Sequence, residues 1–247
     1  MKPCLFILVF LLSTLVRLSA QQLIEPEGVV DPETLEEDVL DFELHAGWDS
    51  LYVSEGRDNL DGDSLFTLEA NGSYGLDFAT VTAGAWYAEG SGGDYSELNV
   101  YAAAAREIAG WEFSLAYTRL DFLKDDEFDN ELSIGVAGEI VSLETGVDFV
   151  YSTEAEGFFV EAYVTKSIEL SDQFSLAPGL LVGLNSGYVV DESDGFNHIQ
   201  PSVELAYTFS PDVSLTAYLA HTFALQNAEE DTSEDLFVGG VGLHWGF

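Results

Sequence analysis

Nine carboxylates occur at alternating positions in apolar segments of the chain. They are Glu43, Glu69, Glu97, Glu112, Glu131, Glu144, Asp148, Glu161 and Glu204. Successive side chains of a strand point to opposite faces, so these carboxylates are predicted to share one face of a sheet with hydroxyl and amide groups. Rings of carboxylates favour cations in channels. The pattern therefore predicts an acidic lining along a cation path.

The five Lys and Arg residues that follow position 20 do not share this face. Arg57 and Lys124 fall in predicted loops, whereas Arg106, Arg119 and Lys166 have the opposite parity. An unpaired carboxylate buried in a dry interior costs several kcal/mol. The acidic face must therefore meet water, protons or bound cations. Water is the simplest answer and predicts a pore, and the alternative is a narrow, wet interior that does not conduct.

Two histidines are the candidates for a metal site. His45 and His244 have the parity of the carboxylates and lie on the first and last predicted strands, with Glu43 close by. Such a set could bind Zn²⁺ or Cu²⁺. The stagger of strands in a barrel could instead separate the two rings. We therefore predict no metal site and no cofactor, and interpret both residues as polar wall residues.

Enzyme signatures are absent from the sequence. It contains no G-x-S-x-G, H-E-x-x-H or P-loop motif. His221 has the parity of the apolar face. We therefore expect no catalytic residues and no enzymatic activity.

Strands must position the side chains discussed above. Polar and apolar residues alternate with a period of two through residues 42–247, which predicts such strands. We predict twelve strands, most of about ten residues, which is the length that a tilted strand needs to cross a bilayer. Their ranges are 42–53, 64–74, 78–88, 95–106, 111–120, 130–137, 141–152, 157–168, 174–185, 198–209, 213–222 and 235–247. Short turns alternate with longer, acidic loops, as in outer-membrane barrels, whose short turns are periplasmic.

Alternation alone does not tell which face of the sheet points inward. A soluble lipocalin-like barrel or sandwich would bury its apolar face, whereas a membrane barrel would expose it to lipid. The last strand favours the membrane barrel, because Trp245 and Phe247 share an apolar face and the final Phe resembles the assembly signal of bacterial outer-membrane proteins. We predict a closed antiparallel transmembrane β-barrel of about 12 strands.

The first residues resemble an export signal. Residues 1–20 combine Lys2 with an apolar core and end in small residues, which predicts a secretory signal peptide cleaved near Ala20. Residues 21–41 are acidic and contain two prolines, which predicts a flexible periplasmic tail. The barrel is then residues 42–247, and the predicted location is a bacterial outer membrane.

Charge limits the partners. The chain has 7 Lys and Arg against 45 Asp and Glu and a net charge of −38. Removing Lys2 and Arg17 with the signal leaves −40. Nucleic acid is excluded, since it needs clustered basic residues. The expected partners are outer-membrane lipid and lipopolysaccharide, the barrel-assembly machinery, and small solutes or cations.

Four stretches resemble the TorF-like family of outer-membrane porins. Residues 48–58 (WDSLYVSEGRD) resemble its opening strand and first outer loop, and residues 83–87 (AGAWY), 96–101 (SELNVY) and 130–133 (NELS) resemble later strands. The resemblance implies a porin without a known substrate. Together with the acidic face, it leads us to expect passive diffusion of small solutes that favours cations. The alternative is a non-conducting barrel with a structural or surface-interaction role through its acidic loops.

Overall fold

The computed structural model describes residues 40–189, 194–225 and 235–247, which form fifteen strands. They are β1 (Leu40–Asp49), β2 (Val53–Ser54), β3 (Arg57–Asp58), β4 (Leu65–Leu76), β5 (Ala79–Gly90), β6 (Ser96–Ile108), β7 (Trp111–Phe122), β8 (Glu127–Ile140), β9 (Leu143–Ser152), β10 (Gly157–Thr165), β11 (Ile168–Ser171), β12 (Phe174–Ser186), β13 (Gly195–Ser210), β14 (Val213–Ala224) and β15 (Leu236–Gly246). Within these ranges, no helix is long and apolar enough to cross a membrane. The predicted signal peptide and residues 21–39 of the predicted tail lie outside the described residues.

The strands close into a single antiparallel barrel. The strands from β4 to β10 and from β11 to β15 each pair with the next one along the chain. In addition, β1 pairs with β4 and β15, and β10 pairs with β12. Because β10 and β11 occupy one place in the wall and β2 and β3 form a separate hairpin, the barrel has twelve strands. The predicted fold is therefore confirmed.

The alternation along each strand places polar side chains inside and apolar side chains outside. In β8, Glu131 and Ser133 are fully buried, whereas Leu132 and Ile134 are 50% and 55% exposed. Large apolar residues are exposed in the same way on the other strands, from Phe66 on β4 to Phe237 on β15. A soluble barrel would show the reverse pattern. A closed barrel with an apolar exterior is suited to lipid and locates the chain in an outer membrane.

The two ends of the barrel carry different connections. Two-residue turns join the strands at one end, at residues 77–78, 109–110, 141–142, 172–173 and 211–212. The turn at Ala109 and Gly110 has positive φ at both positions, the backbone conformation that suits a two-residue hairpin. The other end carries loops of four or more residues. By the rule for outer-membrane barrels, the two-residue turns are periplasmic.

Several predicted strand boundaries were wrong. The first strand ends at Asp49 rather than at residue 53, and the chain then enters the hairpin of β2 and β3. The strand predicted at 130–137 runs from Glu127 to Ile140, so its turn lies at 141–142 and not at 138–140. Ladder hydrogen bonds with β7 and β9 extend β8 through polar residues that the sequence pattern assigned to connections.

Candidate functional site

The nine predicted carboxylates all lie on the inner face of the barrel. Four of them, toward the end with short turns, are half-buried: Glu43, Glu112, Glu144 and Glu204. The remaining five are buried: Glu69, Glu97, Glu131, Asp148 and Glu161. The interior therefore has a more open periplasmic half and a filled outer half.

The first outer loop (residues 50–64) fills much of the outer half. Its hairpin pairs Val53 with Asp58 and Ser54 with Arg57, and its tip points into the barrel. Gly56 at this tip has a φ of +78°, and a Cβ built there would lie only 2.7 Å from the His198 ring on β13. The tip thus rests directly on the wall, and a glycine is needed both for the backbone conformation and for the close approach.

An apolar cluster fixes the first outer loop to the barrel. Tyr52 from the loop packs with wall residues that point inward near the outer end, and Leu60 packs against the same cluster. The wall residues of the cluster are Leu65, Trp86, Ala88, Tyr101, Leu120 and Phe122. Apolar side chains on the inner face therefore mark where a loop docks.

The fifth outer loop (residues 187–194, described at 187–189 and 194) also enters the barrel. Tyr188 and Val189 are buried against Val150 and Phe159 of the wall. The Tyr188 hydroxyl donates a hydrogen bond to Glu131 Oε1. Two outer loops thus meet in the outer half of the interior.

The expectation that Arg57 lies outside the acidic interior was wrong. Arg57 is only 7% exposed, and its guanidinium lies 3.6 Å from Glu55 on the same hairpin. Its charge also acts on His198 of β13. Strand parity correctly assigned the inward-facing residues of the wall, but it did not apply to a loop that folds inward. The interior is acidic with a guanidinium at the level of the first outer loop.

Tyrosines supply hydrogen bonds to carboxylates inside the barrel. Tyr101 donates to Glu69, and Tyr95 donates to Glu97. Tyr218 donates to Asp49 with an O–O distance of 2.7 Å. Neutral O–H donors thereby offset part of the cost of burying acids where cations are scarce.

The sequence analysis did not include Asp49 or Asp129 among the inward acids. Asp49 has the parity of Glu43 and could have been identified from it. Asp129 was assigned to a loop because the predicted strand began one residue later.

Some buried polar atoms have no hydrogen-bond partner among the described residues. They include one oxygen each of Glu97 and Glu131, the side-chain amide of Asn99 and the hydroxyl of Ser133. All four residues are fully buried. Burial also raises the pKa of the Glu55 carboxyl, whereas the neighbouring Arg57 guanidinium lowers this pKa by a smaller amount. Ionising the acids in the outer half of the interior therefore costs free energy.

A small pocket of about 30 Å³, partly open to solvent, lies at the periplasmic end. Glu43, His45, Glu69, Asn71 and His244 line it. The Asn71 amide donates to Glu43 across 3.5 Å. Half-buried acids and a polar lining make this end the wetter part of the interior.

The structure brings the two candidate metal-binding histidines together. His45 pairs directly with His244 across β1 and β15, and their rings stack with centroids 4.3 Å apart. The Thr216 hydroxyl lies 3.4 Å from His244 Nε2. In the described part of the chain, however, no group of three His, Cys, Asp or Glu side chains has a geometry that could hold a metal ion. The absence of a metal site at this histidine pair stays a prediction.

The two aromatic residues of the predicted assembly signal point outward. Trp245 and Phe247 are 52% and 63% exposed on the lipid-facing side. Phe247 exchanges two backbone hydrogen bonds with Phe42, at 2.9 and 3.0 Å, where the first and last strands meet. The role of these residues in assembly stays a prediction.

Comparisons with known proteins identify the fold. No family model matches the chain, and no curated protein matches it. Among solved structures, the KdgM porin aligns with a TM-score of 0.56 and 7% identity over 84% of this chain and 99% of that one. The COG4313 outer membrane channel from Pseudomonas putida F1 aligns with a TM-score of 0.55 and 13% identity over 88% of this chain and all of that one. At such identities, the similarity shows a shared outer-membrane barrel fold.

Proposed function

We propose that this barrel is an outer-membrane channel for passive diffusion of small solutes and that it favours cations. The observation that carries the proposal is the acidic inner wall, with four half-buried carboxylates facing the periplasmic half. Fixed negative charge in a narrow, low-dielectric passage concentrates cations and repels anions. The similarity to a porin and a channel supports the proposal at the level of fold.

The first outer loop lies within the proposed path, in the outer half of the barrel. Arg57 places a positive charge there, close to Glu55. We therefore expect a cation preference weaker than nine wall carboxylates alone would produce.

The other expectations stand as proposals alongside this one. They are membership of the TorF-like family, contacts with outer-membrane lipid and lipopolysaccharide, handling by the barrel-assembly machinery, and the absence of enzymatic activity.

A non-conducting barrel is the second candidate function. The filled outer half of the interior favours it, because Glu97, Glu131 and Asn99 are inaccessible to solvent. In this case the acidic outer loops would serve a structural or surface-interaction role.

Replacing the first outer loop separates the two candidates. Asp49 pairs with Leu65, so residues 50–64 can be exchanged for an Asn-Gly turn that joins β1 directly to β4. We expect planar-bilayer recordings to show measurable conductance for the full chain and a several-fold larger conductance for the shortened one. The matched control exchanges residues 123–126 for Asn-Gly, because this exposed turn joins β7 to β8 where Phe122 pairs with Glu127. If neither the full nor the shortened chain conducts, the non-conducting reading is correct.

A further inference from the structure

We propose that the first outer loop is a proton-controlled gate, docked when the buried carboxyl cluster of Glu55, Glu97 and Glu131 is neutral and released when it ionises. The cluster joins the loop, through Glu55, to two strands of the wall. The claim that the loop regulates permeation rests on the proposed channel function. The movement of the loop can be measured whether or not the barrel conducts.

The tip of the docked loop, residues 54–57, packs inside the barrel separately from the apolar cluster that fixes Tyr52 and Leu60. Ser54, Glu55 and Arg57 are at most 7% exposed, and Gly56 packs against His198. The loop enters and leaves the barrel through Ser50 and Ser64, which follow β1 and precede β4. A short hairpin held by side-chain packing can therefore move without unpairing the barrel strands.

Three carboxyl groups converge where the loop docks. Glu55 comes from the loop, Glu97 from β6 and Glu131 from β8, and all three are at most 2% exposed. Tyr95, the hydrogen-bond donor to Glu97, packs on Tyr52 of the loop with ring centroids 5.7 Å apart. Tyr95 donates to one oxygen of Glu97 and Tyr188 to one oxygen of Glu131. The second oxygen of each wall carboxylate is buried without a hydrogen-bond partner among the described residues.

Other charged and titratable groups around the cluster do not neutralise it. Arg57 lies 3.6 Å from Glu55 and is the cation of the hairpin itself. The titratable neighbours of the cluster are Tyr52 of the same loop, Tyr95 of the second outer loop, Tyr188 of the fifth, and Asp129, Glu161 and His198 of the wall. His198 Nε2 lies 4.0 Å from Glu161. With three or more acids around a single guanidinium, full ionisation leaves a net negative charge in a dry space.

The direction of the pH dependence follows from Glu55. Burial raises the pKa of its carboxyl above the value that it has when the loop is in water. The docked state therefore binds the proton more tightly, and proton binding stabilises docking. Docking is strongest below the ordinary carboxyl range and weakens as the pH rises through the raised pKa. Each proton released on undocking changes the docking equilibrium by at most about tenfold per pH unit.

The experiment measures access to the loop itself. Ser54 is 5% exposed in the docked loop, so Ser54→Cys is protected when the loop is docked and reactive when it is released. The variant is made in the full chain with Cys4→Ala, refolded into phospholipid vesicles and labelled with a membrane-impermeant maleimide between about pH 5 and pH 9. Asp94→Cys, on an exposed outer loop, corrects for the pH dependence of thiol reactivity.

We expect the labelling rate of Ser54→Cys, divided by that of Asp94→Cys, to rise at least tenfold across this range. Adding Glu55→Gln should keep the ratio low at high pH, because glutamine stays neutral. Adding Glu154→Gln, an exposed acid on a different outer loop, should leave the rise unchanged. Val53→Cys provides a second reporter if Ser54→Cys does not refold with heat-modifiable mobility.

Two results are decisive, and they are distinguishable from each other. A constant ratio, or a rise that persists with Glu55→Gln, overturns the gate whether or not the barrel conducts. A rise that Glu55→Gln abolishes, in a barrel that conducts at no pH, supports the movement of the loop and rejects the channel function.

Discussion

Buried acids in this barrel differ in how fully they are paired. Asp129 is 4% exposed and accepts four hydrogen bonds. Two come from the hydroxyls of Ser152 and Thr153, at 2.5 and 3.2 Å. The other two come from the backbone N–H groups of Asn130 and Glu154, at 2.6 and 2.9 Å. Glu131, two residues further along β8, has an oxygen with no partner among the described residues. A paired carboxylate stabilises its surroundings, whereas a partly paired one is a place where the structure can change.

Removing Asp129 should therefore destabilise the turn between β9 and β10. We expect Asp129→Ala to lower the free energy of unfolding by about 2–3 kcal/mol, because four donors lose a charged acceptor. Urea unfolding of the refolded barrel in detergent micelles measures the change. Asp125→Ala, an exposed acid on the adjacent outer turn, should change it by less than about 0.5 kcal/mol. Equal effects of the two substitutions would show that the network around Asp129 contributes nothing.

At the level of residues, parity along the strands placed all nine carboxylates on the inner face. Parity could not identify their partners, since Tyr101 on β6 reaches Glu69 on β4 across the intervening strand β5. It also could not detect Arg57, because a loop residue has no strand period to follow. Long-range contacts of these kinds are set by closure of the barrel, which the sequence does not encode locally.

The elements were predictable where the two faces differ in polarity. The twelve barrel strands all appear in the structure, because alternation of polar and apolar residues is enforced by lipid on one side and polar contacts on the other. The predicted boundaries of β1 and β8 were wrong, because hydrogen bonding to the neighbouring strands determines where these strands end. The hairpin of β2 and β3 was missed because two-residue strands leave no periodic pattern.

The fifth outer loop offers a test of how a loop docks inside the barrel. A Cβ at Gly157 on β10 would lie 2.1–2.3 Å from the backbone of Gly187 and Tyr188, so the loop sits directly on this glycine. We expect Gly157→Ala to displace the loop and to lower the free energy of unfolding by about 1–3 kcal/mol, measured by urea titration in micelles.

Gly75→Ala is the matched control for this change. Gly75 lies on β4, and a Cβ there would meet no atom within 4 Å. Its substitution should alter the free energy of unfolding by less than about 0.5 kcal/mol. If Gly157→Ala proves as stable as Gly75→Ala, the fifth outer loop is not packed against β10 as described.

The whole molecule has a net charge of −38, and nine of its 45 acidic residues are the predicted carboxylates of the inner wall. Composition predicts that nucleic acid is not a partner, and the strand pattern was enough to predict a closed barrel. The degree to which loops fill the interior could not be predicted, because it depends on apolar wall residues such as Trp86 and Leu120 meeting Tyr52 from a distant loop.

Ion selectivity tests the central claim most directly. The measurement is the reversal potential of the refolded chain in a planar bilayer that separates two KCl concentrations. An acidic inner wall predicts a potential of the sign set by K⁺, reduced in size by Arg57 at the first outer loop. A potential of the sign set by Cl⁻, or no current at any pH, would contradict the account.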